Sequence, residues 1–139
     1  MNTSELQLLD MKASPEDRAR ALLDQMTLAE KIGQMSQVEA GHGHPPEYLG
    51  ERLRAGLIGS VINNVNVETV NELQRIAVEE SRLGIPLLVG RDVIHGFKTV
   101  FPIPLGQAAT WNPSLAKEGA RVAAVEAARF GVNWTFAPM

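Results

Sequence analysis

The sequence predicts an α/β chain in which short parallel strands alternate with amphipathic helices. Three short runs, at residues 57–62, 85–89 and 132–137, are typical of buried strands, and Val and Ile recur in the first of them. The segments that begin at Asn66 and Asn112, between these runs, show apolar residues at helical spacing. Strands joined by helices in this way imply right-handed parallel crossovers, which fit either an open doubly wound sheet or the first part of a (β/α)8 barrel.

Helix signals also come before the first predicted strand. We expect residues 1–13 to be a flexible N-terminal segment, because they are polar and precede the first helix start. Ser14 and Pro15 are suited to begin a helix, and Thr27 with Glu30 forms a capping-box pattern for a second one. The apolar face of that second helix is predicted to run as far as Val38. A short helix is expected over residues 47–54.

Two longer helices are predicted further along. Asn66 can cap a helix whose apolar stripe reaches Leu83, with Gly84 as its C-cap. Residues 90–111 show no clear periodicity and are predicted to be a long loop. Another helix is expected from Asn112 to Gly131.

Composition excludes several classes of function. The 139 residues carry a net charge of -3, and only 5% of them are aromatic. Neither value indicates a nucleic-acid-binding surface. No apolar run is long enough to span a membrane, and no signal-peptide pattern is present, so the expected location is cytoplasmic. The sequence has no cysteine, which removes disulfides and thiolate metal sites.

Asp92 is the main candidate for a ligand contact. It follows the strand predicted at residues 85–89, and functional residues gather at the carboxyl ends of strands in both parallel architectures. The long loop behind it is also more typical of a functional segment than of a simple connection. The alternative is an aspartate that only caps backbone N–H groups in a turn.

The histidines give weaker signals. Asp92 with His95 could suggest a metal pair, but no third ligand is in view, so no metal is expected. His95 is predicted to be a structural hydrogen-bonding residue just before Gly96. His42 and His44 alternate with glycines and are expected to lie in a solvated turn.

A helical carboxylate and three aromatic residues complete the candidates. Glu126 is predicted to form an ion pair with Arg129, three positions along the same helix. Trp111, Phe97 and Phe101 could stack on a sugar or a base, although packing of the loop against the core is the commoner explanation.

Several spaced motifs make the chain resemble glycoside hydrolase family 3. They are MTLAEKIGQM at residues 26–35, GSVIN at 59–63, IPLLVGRDVIHG at 85–96, TVFPIPLG at 99–106 followed by AATWN at 108–112, and NWTFAPM at 133–139. Their order and spacing extend the resemblance over nearly all of the chain from about Pro15. On this basis residues 14–139 are identified as the N-terminal, incomplete portion of a barrel domain, a partial (β/α)8 TIM-like barrel with about three parallel strands and flanking helices.

The resemblance implies a retaining β-glucosidase that hydrolyses terminal β-linked glucose from oligosaccharides or glycosides. Asp92 matches the family aspartate that binds hydroxyls of the innermost sugar. The catalytic nucleophile and acid/base are implied to lie beyond this chain, so no catalytic residue is assigned here and the 139 residues alone are expected to be inactive. The expected partners are a carbohydrate substrate and the missing C-terminal remainder of the enzyme, with no cofactor. The alternatives are a β-xylosidase of the same family and a non-catalytic sugar-binding or structural fragment.

Overall fold

A four-stranded parallel sheet organises the chain. The structure is a computed structural model that describes residues 13–41 and 47–138. The strands lie side by side in sequence order, and all three neighbouring pairs are parallel. Their bounds are Gln37–Glu39 (β1), Ser60–Ile62 (β2), Leu88–Arg91 (β3) and Trp134–Thr135 (β4). Consecutive parallel strands in sequence order are what the first part of a (β/α)8 barrel requires.

Six helices precede or connect the described strands. Their bounds are Pro15–Gln25 (α1), Leu28–Gln34 (α2), Glu47–Arg54 (α3), Val67–Arg75 (α4), Pro104–Ala108 (α5) and Pro113–Arg129 (α6). The predicted N-caps at Ser14, Thr27 and Asn66 are confirmed, because each side chain accepts a hydrogen bond from a backbone N–H of the helix that follows, and Asn112 caps its helix in the same way. The C-cap predicted at Gly84 is wrong, because the helical segment that continues α4 ends at Glu80 with Ser81 as its C-cap. Within the described ranges, no helix has the length and apolar character needed to cross a membrane.

The main core lies between the sheet and helices α3 and α4. Val61 of β2 and Val89 of β3 are almost fully buried there, together with Leu49 and Leu73 from the two helices. A second cluster forms beneath α6, where Val93 and Val132 pack with Ala123 and Ala127 of that helix. The first strands are therefore anchored by one set of helices and the last strand by α6.

Strand β1 was not predicted by the sequence pattern. We expected Val38 to lie on a helix face, but α2 ends at Gln34 and Val38 pairs with Val61 of β2. A three-residue strand is too short to show alternation, and Val38 continues a helical spacing by coincidence. The sheet consequently has four described strands rather than three.

Two helical predictions also need correction. The helix expected to run to Leu83 is α-helical only as far as Arg75 and continues as a π-helix over Ile76–Glu80. This wider turn keeps Ile76 buried while Glu80 reaches both Arg54 and Arg75. The stretch 90–111 is not wholly a loop, because α5 lies within it and begins at a proline that suits a first helical position.

Candidate functional site

The strand register gives the sheet a covered face and an open face. Val38, Val61 and Val89 are register partners, and all three pack into the main core. Because successive side chains of a strand point to opposite faces, the adjacent row lies on the other side. That row contains Glu39 and Gly90. Helices α3 and α4 cover the face that carries the valines.

Asp92 lies at the carboxyl end of β3 with an exposed side chain. It comes directly after Arg91, the last residue of the strand. The next residue, Val93, is buried beneath α6, whereas Asp92 itself is exposed. Asp92 forms no hydrogen bond or ion pair with any other described residue, so the alternative of a turn-capping aspartate is not observed. Its carboxylate oxygens are free to accept hydrogen bonds from a ligand.

Gly90, two residues before Asp92, allows an aromatic pair to lie against β3. A Cβ atom at Gly90 would lie 2.9 Å from Cζ of Phe136, so the ring occupies the space that a side chain would need. The Phe136 ring in turn meets Trp134 edge-on, with ring centroids 4.8 Å apart. Sequence reasoning did not single out these two aromatic residues. Their shared parity in the predicted strand at residues 132–137 is the signal that could have found them.

A polar contact joins the ends of the two central strands next to Asp92. Nη1 of Arg91 donates to Oδ1 of Asn63 at 2.9 Å, and the backbone N–H of Asn63 donates to the carbonyl of Gly90 at 3.1 Å. Asn63 adopts a left-handed backbone with φ of 67°, a conformation that asparagine tolerates better than most residues. The contact fixes the spacing between the carboxyl ends of β2 and β3.

The segment that follows Asp92 folds back on itself. The backbone N–H of Phe101 donates to the carbonyl of His95 at 2.8 Å, and Nδ1 of His95 lies 3.0 Å from the carbonyl oxygen of Phe101. Because a carbonyl can only accept, Nδ1 carries the proton in this contact. An antiparallel bridge between Gly96 and Val100 closes the loop further. The structural role predicted for His95 is therefore confirmed.

Glu126 does not form the ion pair that the sequence predicted. Within the described chain its contacts are with the loop after β3 and not with Arg129. Oε2 accepts from the backbone N–H groups of Lys98 and Thr99 at 2.9 and 2.8 Å, and Oε1 accepts from the Thr99 hydroxyl at 2.6 Å. The Thr99 hydroxyl and N–H, with a smaller contribution from Lys98, hold the pKa of Glu126 below its usual value. The prediction failed because helical spacing reports local partners and carries no information about a loop 27 residues away.

The three aromatic candidates behave differently from one another. Phe97 packs against Phe130 with centroids 5.4 Å apart, and Phe101 lies over Gly119 of α6. These two therefore serve loop packing. Trp111 is 93% exposed and has a left-handed backbone with φ of 51°, so its ring is not packed into either described core cluster.

The described part of the chain contains no cluster of side chains suited to bind a metal ion. No group of three or more His, Asp or Glu side chains is placed there to hold an ion. His42 and His44 lie outside the described residues. The site presents the Asp92 carboxylate at the end of β3 and an aromatic pair over Gly90 of the same strand. A carboxylate accepts hydrogen bonds from hydroxyl groups, and aromatic side chains pack against an apolar ring face.

These features define a class of protein: a parallel βα unit of the barrel type, in which the strands lie side by side in sequence order. The family follows from sequence. Residues 27–139 match the model of the glycosyl hydrolase family 3 N-terminal domain, and the chain belongs to that family.

Individual relatives agree with this assignment. A periplasmic beta-glucosidase of Salmonella typhimurium is 42% identical over 118 residues, which cover 85% of this chain and 15% of that protein. A putative beta-xylosidase of Formosa agariphila is 31% identical over 142 residues, covering 88% of this chain and 19% of the relative. The crystal structure of a beta-glucosidase from Listeria innocua in complex with glucose superposes with a TM-score of 0.78 at 35% identity, covering 91% of this chain and 19% of that one. The chain thus spans less than one fifth of the length of these relatives.

Proposed function

We propose that this chain forms the N-terminal, sugar-binding part of a retaining β-glucosidase that hydrolyses terminal β-linked glucose. The observation that carries the proposal is Asp92, an exposed carboxylate at the carboxyl end of β3 that has no hydrogen-bond or ion-pair partner among the described residues. The Listeria relative was crystallised with glucose, which supports a sugar as the ligand class.

Asp92 would act by accepting hydrogen bonds from sugar hydroxyls. A carboxylate presents two acceptor oxygens, and hydrogen bonds to charged groups are stronger than those between neutral groups. Such contacts orient the ring, and any that shorten as the transition state forms contribute to the rate as well as to binding. Phe136 and Trp134 would supply an apolar surface beside this contact.

The bond-breaking chemistry is assigned to other parts of the protein. Retention requires a nucleophile and an acid/base whose carboxyl groups lie about 5–5.5 Å apart. The family resemblance puts both groups beyond residue 139, so Asp92 is proposed as a binding residue and not as either of them. The remainder of the polypeptide is the partner that would supply them.

An uncovered groove supports the proposal of further polypeptide. The groove has a volume of about 890 Å³ and lies between α6 and β4, with Ala120, Ala124 and Trp134 among its lining residues. Apolar surface of this kind gains free energy when it is removed from water. In a parallel barrel, the next strand and helix would pair with the open edge of β4 and cover this face.

Hydrolysis of 4-nitrophenyl β-D-glucopyranoside by the complete natural protein tests the function. We expect Asp92→Asn to lower kcat/KM by about 100-fold or more, since two charged hydrogen bonds of about 1.5–3 kcal/mol each are weakened. Glu118→Gln is the matched control, because Glu118 is an exposed carboxylate of α6 that pairs with Arg121 of the same helix. Unchanged kcat/KM in the Asp92→Asn protein would contradict the proposal, as would turnover by residues 1–139 alone.

A β-xylosidase is the second candidate, favoured by the Formosa relative. The two activities differ in whether the pocket accepts the hydroxymethyl group at the sixth carbon of glucose. Parallel assays with the glucoside and xyloside of 4-nitrophenol decide between them by the ratio of kcat/KM values.

A cytoplasmic location stays a prediction, which fractionation of cells that express the protein would test.

A further inference from the structure

We infer that Glu126 is a positioning residue that holds the loop bearing Asp92 against α6 and thereby sets the affinity of the site for sugar. This inference rests on the sugar-binding role proposed for Asp92. It concerns a side chain on a helix, away from the strand ends, whose contacts cross to the loop after β3.

The Glu126 carboxylate and the groups of Lys98 and Thr99 that donate to it are called the clamp. The three donors, two consecutive backbone N–H groups and one hydroxyl, all belong to Lys98 and Thr99. Two successive N–H groups that point the same way form a small anion-binding concavity, which a carboxylate fills well. Both oxygens are engaged, so neither a neutral amide nor a shorter side chain can reproduce the full set.

Phe130 adds a second attachment one helical turn further on. The ammonium of Lys98 lies 4.6 Å from the centroid of the Phe130 ring and 5.4 Å from that of Phe97. Residues four apart on a helix lie on the same face, so Glu126 and Phe130 contact the same loop side by side. The side chain of Lys98 is thus held by aromatic rings, while its backbone is held by Glu126.

The clamp is connected to Asp92 through residues 93–99, which belong to a loop that folds back on itself. The contacts between His95 and Phe101 close the loop, and Val93 at its root packs in one cluster with Ala123 of α6. Helix α6 therefore fixes both the root and the far end of the segment that begins directly after Asp92. Releasing the far end would let the Asp92 backbone shift, and misplacement of a binding group by about 1 Å can cost up to about 100-fold.

The test compares four single variants of the complete natural protein. Glu126→Gln and Thr99→Val remove parts of the clamp, Thr99→Ser keeps its hydroxyl, and Glu118→Gln is the control on the same helix. The inhibition constant of glucose against the 4-nitrophenyl glucoside is measured with the thermal midpoint of each variant. We expect the first two to raise the inhibition constant about tenfold, and the last two to leave it within about twofold.

A double variant separates positioning from a general loss of stability. If Glu126 acts through Asp92, adding Glu126→Gln to Asp92→Asn causes no further rise in the inhibition constant. Additive effects, or a lower thermal midpoint with an unchanged inhibition constant in both Glu126→Gln and Thr99→Val, would overturn the inference. Should Glu126→Gln fail to fold, the contrast between Thr99→Val and Thr99→Ser gives the same decision.

The failure of this inference is distinguishable from the failure of the proposed function. If Asp92→Asn leaves glucose inhibition unchanged, the sugar-binding role of Asp92 is wrong and the positioning role falls with it. If Asp92→Asn weakens inhibition while Glu126→Gln and Thr99→Val do not, only the positioning role is wrong.

Discussion

Glu30 of α2 is held by Arg82, which lies 52 residues further along the chain. Nε of Arg82 donates to Oε1 of Glu30 at 2.9 Å and Nη2 donates to Oε2 at 2.6 Å, the two-pronged geometry that favours arginine over lysine. The same carboxylate accepts from the backbone N–H of Thr27 at 2.8 Å, completing the capping box of α2. One side chain therefore both begins a helix and ties it to the loop that precedes β3.

The stability of the fold should depend on pH through Glu30. Arg82, then the Thr27 backbone, lowers the pKa of Glu30 from 4.5 to about 2. Because the pKa in the folded state is the lower one, this stabilisation is fully present above pH 4.5 and is lost as the pH falls toward 2. Allowing for solvent around the exposed Arg82, it contributes on the order of 2 kcal/mol.

Thermal unfolding of the wild type and Glu30→Gln at pH 7 and pH 3 checks this expectation. The variant should have the lower midpoint at pH 7, and the difference should shrink at pH 3. A difference that is independent of pH would show that the charge of Glu30 does not contribute. Glu118→Gln serves as the control, because its partner Arg121 is one turn away on the same exposed helix face.

Replacement by alanine should have different effects on the free energy of unfolding at Gly90 and at Gly119. At Gly90 the added Cβ would lie 2.9 and 3.2 Å from atoms of the Phe136 ring, so the ring must move and its contact with Trp134 is disturbed. At Gly119 the nearest atoms of Phe101 are 3.6–3.7 Å away, which is ordinary contact. Gly90→Ala should destabilise by about 1–3 kcal/mol, whereas Gly119→Ala should be neutral or stabilise α6 by up to about 1 kcal/mol.

Chemical denaturation of both glycine variants measures these changes directly. The tryptophan fluorescence of the Gly90→Ala protein should also change, since Trp134 meets the displaced ring. Equal stability of the two variants would mean that the Phe136 ring is not held in place over Gly90.

The sequence was most informative where a structural signal is local. The caps at Thr27 and Asn66 could be predicted because the residues that form them lie within one turn of each other. The position of Asp92 at a strand end followed from the apolar run before it. The absence of a partner for Asp92 among the described residues did not, because that depends on every neighbour that the fold brings near.

Partners that are distant in sequence account for what could not be predicted. Helical spacing predicted an ion pair between Glu126 and Arg129, whereas the groups that donate hydrogen bonds to Glu126 belong to the loop after β3. The contact between Arg91 and Asn63 depends on the register of β2 with β3, which strand propensity does not specify. Strand β1 is held by pairing with β2, and no periodicity can build up in three residues.

Asn133 should be a determinant of how β4 joins the sheet. Its Oδ1 accepts from the backbone N–H of Val89 at 2.7 Å and its Nδ2 donates to the carbonyl of Leu87 at 3.2 Å. The side chain thus binds one backbone group of β3, at Val89, and one of Leu87, the residue just before β3. Asn133→Ala would leave both without this partner, and we expect a loss of about 1–3 kcal/mol in the free energy of unfolding.

Asn133→Asp distinguishes the two hydrogen bonds. It keeps an acceptor for Val89 but brings a carboxylate oxygen toward the Leu87 carbonyl, so it should destabilise as well. Asn71→Ala on the exposed face of α4 is the control and should change the free energy of unfolding by no more than about 0.5 kcal/mol. Hydrogen exchange at the Val89 amide gives the site-specific measurement. Faster exchange there in Asn133→Ala, with protection retained in Asn71→Ala, is the expected result, and unchanged protection in Asn133→Ala would rule out this role for the side chain.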